Sequence, residues 1–141
     1  MTKVRTTLVG AMGLFMGACF LVACTADTSG LTTLTVPQLA ALLADNAASV
    51  LDANGAPTRE KYGIIPGASL LSNYSDYDAA AELPADKARR LVFYCSSTMC
   101  SAAPTAARKA VQAGYTDVCV LPEGIKGWVG AGQPVEKPSA G

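Results

Sequence analysis

The chain has 141 residues, 11 basic and 11 acidic side chains, five cysteines and no histidine. The length suits one domain, and an apolar fraction of 50% supports a real core. Without histidine there is no Ser-His-Asp or Cys-His pair, no HExxH zinc protease site and no Cys₂His₂ finger, and a formal net charge of zero argues against a nucleic-acid partner.

Residues 1–23 begin with Lys3 and Arg5 and continue as an uncharged apolar run from Leu8 to Ala23, the layout of a secretory signal. Three glycines (Gly10, Gly13, Gly17) punctuate the run, which is short for a membrane-spanning helix. It ends in Leu21-Val22-Ala23-Cys24, which resembles the bacterial lipobox. The resemblance implies cleavage before Cys24 and acylation of that cysteine, with two or three chains giving stable membrane attachment. The expected location is the bacterial cell envelope, facing the periplasm. Thr25 in place of aspartate favours the outer membrane where there is one. An uncleaved anchor helix and ordinary secretion are the alternatives. Cys19 falls inside the signal and is lost with it. Residues 24–31 read as a polar tether, residues 32–138 as one domain, and the segment from Glu136 to Gly141 as a frayed tail.

Beyond the tether, helix and strand signals alternate. Thr35 to Leu43 reads as a helix, with Thr35 as N-cap, Pro37 in the first turn and Leu39, Leu42 and Leu43 on one face. Ser49 to Asp52 is a short strand, followed by a loop punctuated by Asn54, Gly55 and Pro57. Ser69 to Leu71 is a second short apolar run, and Tyr77 to Leu83 a short helix stopped by Pro84. Leu91 to Tyr94 is the clearest strand, Ala102 to Ala113 an alanine-rich helix ending at Gly114, and Val118 to Leu121 the last strand. Strands separated by helices predict an α/β fold with a mostly parallel central sheet flanked by helices.

In such sheets ligands sit beyond the carboxyl ends of the strands, which directs attention to Cys95, Ser96, Ser97, Thr98, Met99, Cys100 and Ser101. A strand delivers Cys95, a polar loop follows, and a helix starts at its far side. Backbone N–H groups converging there make an anion site, so a Cys95 thiolate is stabilised without a histidine.

At this point the chain resembles the rhodanese-like sulfurtransferases over about Leu34 to Glu136. The resemblance rests on five segments in order: Leu39 to Leu43 with Val50 to Asp52, Tyr62 to Ala68, Leu91 to Cys95, Gly114 to Val118, and Pro122 to Trp128. It implies a single rhodanese-like domain. Its catalytic Cys95 takes a sulfane sulfur from a small donor as a persulfide and passes it to a thiol or similar acceptor. Ser96, Ser97, Thr98, Met99 and Ser101 form the substrate-binding loop. The six-residue loop from Cys95 to Cys100 matches sulfurtransferases rather than the related phosphatases, whose loop has seven residues and ends in arginine. The chain departs from the family at three places: Cys100 stands where a loop arginine is common, Ile64 where a histidine is usual, and Asn54 where an arginine often follows the first strand. The lost loop cation argues against thiosulfate as donor.

Cys100 opens a second chemistry, because it is placed to resolve a persulfide or sulfenic acid on Cys95 by forming a disulfide. Three readings therefore stand: sulfur transfer at Cys95, a redox protein cycling the Cys95/Cys100 pair, and a non-catalytic binding module with a permanent bridge. Closing so short a loop removes little unfolded-state entropy, which weakens the case for a purely structural bridge. No cofactor is implied. Zinc wants three or four protein ligands, which this pair does not supply. Cys119 between two valines reads as a buried small hydrophobe, Trp128 as core, and Asp52 as a residue that orients loops. The partners expected are a small sulfur donor or thiol acceptor and, through the lipid, the membrane. The sequence names no protein partner.

Overall fold

The computed structural model describes residues 25–26 and 31–138. The signal segment 1–23, Cys24 and the last three residues of the tail lie outside the described residues. Among the described residues no helix is long and apolar enough to cross a membrane.

Among the described residues six strands form one sheet: β1 (Thr25–Ala26), β2 (Thr32–Thr33), β3 (Ser49–Asp52), β4 (Ser69–Leu70), β5 (Leu91–Tyr94) and β6 (Val118–Leu121), in the order β1-β2-β6-β5-β3-β4. The five strands from β2 to β4 in that order run parallel, and β1 pairs antiparallel with β2 at the edge. The parallel sheet predicted from alternating strand and helix signals is therefore present. The helices are α1 (Val36–Ala44), α2 (Ala56–Tyr62), α3 (Ala79–Glu82), α4 (Ala102–Gln112) and α5 (Gly124–Gly130).

Buried on both faces, β5 and β6 are continuous apolar runs, as parallel strands commonly are, and β3 carries Val50 and Leu51 between Ser49 and Asp52. The two-residue period of a strand sorts their side chains into two cores. Leu51, Leu91, Phe93, Val118 and Val120 pack under Ala103, Ala106, Ala107 and Ala110 of α4, together with Tyr77 and Leu83. Val50, Val92, Tyr94, Cys119 and Leu121 pack under Val36 and Leu39 of α1 and Ile125 and Trp128 of α5. Cys119 is fully buried and Trp128 nearly so, its indole Nε1 donating to the carbonyl oxygen of Pro134 at 2.7 Å. Both occupy the core, as read.

Helix α2 replaces a segment read as loop, and α5 forms where no element was read. In α2, Gly55 is the N-cap and Pro57 lies in the first turn, where a missing N–H breaks no helical bond. The Gly55–Pro57 signal thus opens a helix instead of marking a loop. In α5, Gly124, Gly127 and Gly130 give poor intrinsic propensity, and burial of Ile125 and Trp128 holds the turns together. The helix read at Tyr77 to Leu83 is confined to α3, capped by Asp78, whose Oδ1 accepts from the N–H groups of Ala80 and Ala81. At the C-terminus, Glu136 is not frayed. It exchanges two backbone bonds with Ile64, at 2.8 and 2.9 Å.

Candidate active site

The site is built at the carboxyl end of β5, which lies between β3 and β6. Leaving the strand, Cys95 is 3% exposed and joins the core under α4. Ser96 and Ser97 are half-buried, and Thr98 and Met99 stand out into solvent, Met99 at 93% exposure. A tight turn then closes through the Cys100 N–H to the Ser97 carbonyl at 3.0 Å. Ser101 is the N-cap residue of the 11-residue helix α4. The turn brings the Cα atoms of Cys95 and Cys100 to 6.4 Å, within the span a disulfide needs, and the two cysteines are joined as a disulfide.

Helix α5 holds this loop from outside. The Ile125 N–H donates to the Cys95 carbonyl at 2.8 Å and the Lys126 N–H to the Ser96 carbonyl at 3.1 Å. This approach requires a glycine at position 124. Its φ is +60°, and a Cβ there would stand 2.5 Å from the Cys95 carbonyl oxygen and 2.8 Å from the Ser97 nitrogen. Beside the bridge is a cleft of about 160 Å³, lined by Cys95, Thr98 and Cys100, by Ala103 and Pro104 of α4, and by Val120 to Pro122. No charged side chain lines it. A larger hollow of about 530 Å³ lies at the amino end of β3, lined in part by Ser49, Val50 and Arg89, and holds no cysteine.

Behind the loop is a buried polar network centred on Asp52, the last residue of β3, which is fully buried. Tyr94 donates its hydroxyl to Asp52 Oδ2 at 2.5 Å and accepts from the Ile65 N–H at 3.1 Å. The Asn54 N–H donates to Asp52 Oδ1 at 2.7 Å. From α2, Arg59 places Nε 3.3 Å from the same oxygen, and its Nη2 donates to the carbonyls of Asp52 and Leu71, both at 3.0 Å. The Arg59 Nε contact is an ion pair without hydrogen-bond alignment, and the buried amide nitrogen of Asn54 has no partner. Burial first, and then the Asp52 charge, push the Tyr94 phenol well above its ordinary range, so it stays a donor at any working pH. The network ties β3, β5, α2 and the Ile64–Ile65 segment together one residue before Cys95.

A model of the rhodanese-like domain matches residues 35–131, from the N-cap of α1 through α5. The chain belongs to the rhodanese-like domain family. No curated protein matches it. Among solved structures, a protein of unknown function from Rhodopseudomonas palustris, described as a possible tyrosine phosphatase, is 25% identical over 77% of this chain and 86% of its own, with a TM-score of 0.63. A thiosulfate sulfurtransferase from Pseudomonas aeruginosa is 25% identical over 74% of this chain but only 20% of its own, with a TM-score of 0.60. A human single-domain sulfurtransferase, at 24% identity and a TM-score of 0.56 over 70% of this chain and 95% of its own, shares the fold.

In this rhodanese-like domain the loop residues singled out by sequence stand together at the end of β5, with Cys95, Thr98 and Cys100 on the cleft and Met99 and Ser101 turned to solvent. Cys24 lies outside the described residues. Sequence reasoning missed Arg59 and the support given by Gly124. Asn54 does leave its own position without a cation, but Arg59 brings one to Asp52 from the next helix. The signal available was an arginine one helical stretch after a strand-end aspartate. For Gly124 it was a glycine just after Pro122, where the chain turns out of β6.

Proposed function

We propose that this rhodanese-like domain transfers sulfane sulfur through a persulfide on Cys95, with Cys100 as resolving thiol, in a lipoprotein attached to the bacterial envelope through Cys24. The observation that carries the reading is the position of Cys95. It sits at the carboxyl end of the central strand β5, in a six-residue loop that feeds the N-terminus of α4. A thiolate there gains from the amino end of that helix. It attacks the outer sulfur of a donor, the donor departs with the electron pair of the broken bond, and Cys95 carries the sulfur as a persulfide. An acceptor thiolate attacks that outer sulfur and releases the Cys95 thiolate. Alternatively, the Cys100 thiolate attacks the inner sulfur, hydrosulfide leaves, and the Cys95–Cys100 bridge forms.

The solved sulfurtransferases of similar fold support this reading. With no charged side chain on the cleft, a thiosulfate dianion has little to hold it, which favours small uncharged or persulfide donors. The bridge itself favours a second reading, in which the pair cycles only between dithiol and disulfide.

The test uses protein reduced with a small thiol, freed of it, and treated with a persulfide donor before intact-mass and peptide analysis. Cys100→Ser is expected to gain one sulfur on Cys95. The unaltered protein is expected to release sulfide and return to the bridged form, and Cys95→Ser to do neither. Absence of sulfur on Cys95 in Cys100→Ser overturns sulfur transfer and leaves dithiol–disulfide cycling.

A further inference from the structure

We propose that the Cys95–Cys100 bridge is opened at Cys100 by a dithiol protein, with Cys95 as the leaving thiolate, so that Cys100 is the entry point for reducing equivalents. The inference rests on the proposed sulfur transfer, because it supplies the reduced Cys95 that this reaction needs for each new cycle.

A thiolate must reach a disulfide sulfur from the side opposite the bond it breaks. Behind Cys95 lies protein: the residue is 3% exposed and belongs to the same buried cluster as Phe93, Ala103 and Val120. Cys100 lies at the edge of that cluster, packed against it but only partly buried. Its neighbours Met99 and Ser101 are exposed. Access therefore selects Cys100. Leaving-group chemistry selects the same direction, since the sulfur expelled is the one whose thiolate the strand end and the N-terminus of α4 stabilise.

The nature of the partner follows from the surface it meets. The loop from Cys95 to Ser101 contains no charged residue, and its most exposed side chain is the apolar Met99. A small anionic thiol finds no cation here, whereas an uncharged surface around a protein dithiol finds a matching one. The dithiol also completes the reaction without a third molecule. Its first thiolate bonds to Cys100 as the Cys95 thiolate departs. Its second thiolate then attacks the first, releasing Cys100 and carrying away the two electrons' worth of oxidation as a new disulfide.

The experiment mixes the unreduced full chain with thioredoxin whose resolving cysteine is replaced by serine, and maps the mixed disulfide by peptide mass. Linkage to Cys100 is expected, and linkage to Cys95 overturns the proposal. Unmutated thioredoxin should open the bridge faster than glutathione at equal thiol concentration. Equal rates overturn the assignment of a protein dithiol. Two titratable thiols at these positions before any reduction would show that no bridge forms and would also overturn it. The sulfur-loading test on chemically reduced protein runs independently, so a failure there is told apart from a failure here.

Discussion

Gly124 shows how far a single position can reach into the reactive loop. It carries no functional group, yet its missing Cβ lets α5 come within hydrogen-bonding distance of the Cys95 and Ser96 carbonyls. Gly124→Ala adds a methyl group that overlaps the loop backbone and forces alanine into a left-handed conformation. The expected cost is about 1–3 kcal/mol in stability, read as a lowered urea midpoint. A faster reaction of the loop with thiols is expected with it. An unchanged midpoint would mean that α5 does not support the loop. Asp52 has a different role. It touches neither Cys95 nor the cleft, and it acts through Tyr94, whose hydroxyl it accepts and whose backbone leads directly into Cys95. Sequence read Asp52 as a strand-end residue that orients loops and named no partner for it, because Arg59 and Tyr94 are brought to it only by folding.

Helix α3, with the turn before it, couples stability to pH through Glu82. The Glu82 carboxylate accepts from the Ser72 N–H and hydroxyl at 2.8 and 2.7 Å and from the Asp78 N–H at 3.0 Å. Partial desolvation raises its pKa, but these bonds, with Lys109 nearby, outweigh it and hold the carboxyl below its usual range. A depressed folded-state pKa contributes stability that is fully present above the unfolded value and is lost as pH falls through the folded one. Glu82→Gln should therefore flatten the acid limb of the stability–pH curve, measured as urea midpoints from neutral to strongly acid conditions. An unaltered acid slope would show that Glu82 does not set it. The strands β3, β5 and β6 and the helices α1 and α4 announced themselves through apolar runs, caps and alanine content. Helix α2 did not, because none of its residues is buried and no apolar period marks it. Helix α5 did not, because three glycines mask a helix that exists by virtue of what Trp128 and Ile125 bury. The reactive loop was legible because a six-residue loop with a cysteine at each end is a spacing, whereas its support from α5 is a contact made across the fold.

Over the whole molecule, strand direction decides how the N-terminal segment meets the domain. Thr25 pairs with Thr33, Thr33 with Val120 and Val120 with Phe93, so Thr25 stands level with a residue two positions before Cys95. The lipid proposed for Cys24 is attached one residue before that strand. Cys24→Ser should abolish acylation and release the protein from the membrane fraction, as read by metabolic acyl labelling and fractionation. A Cys24→Ser protein that is still processed and acylated would sink the lipoprotein reading. The face that α4 turns to the sheet consists of Ala103, Ala106, Ala107 and Ala110, each at most 2% exposed. Alanine has no side-chain torsion to freeze, so docking the helix that anchors the far end of the loop costs no rotamer entropy at these four positions. The chain's disorder before folding is spent here on backbone alone. The depth at which α4 sits over β5 and β6 is set by methyl groups, with no side-chain alternative by which the helix could settle higher.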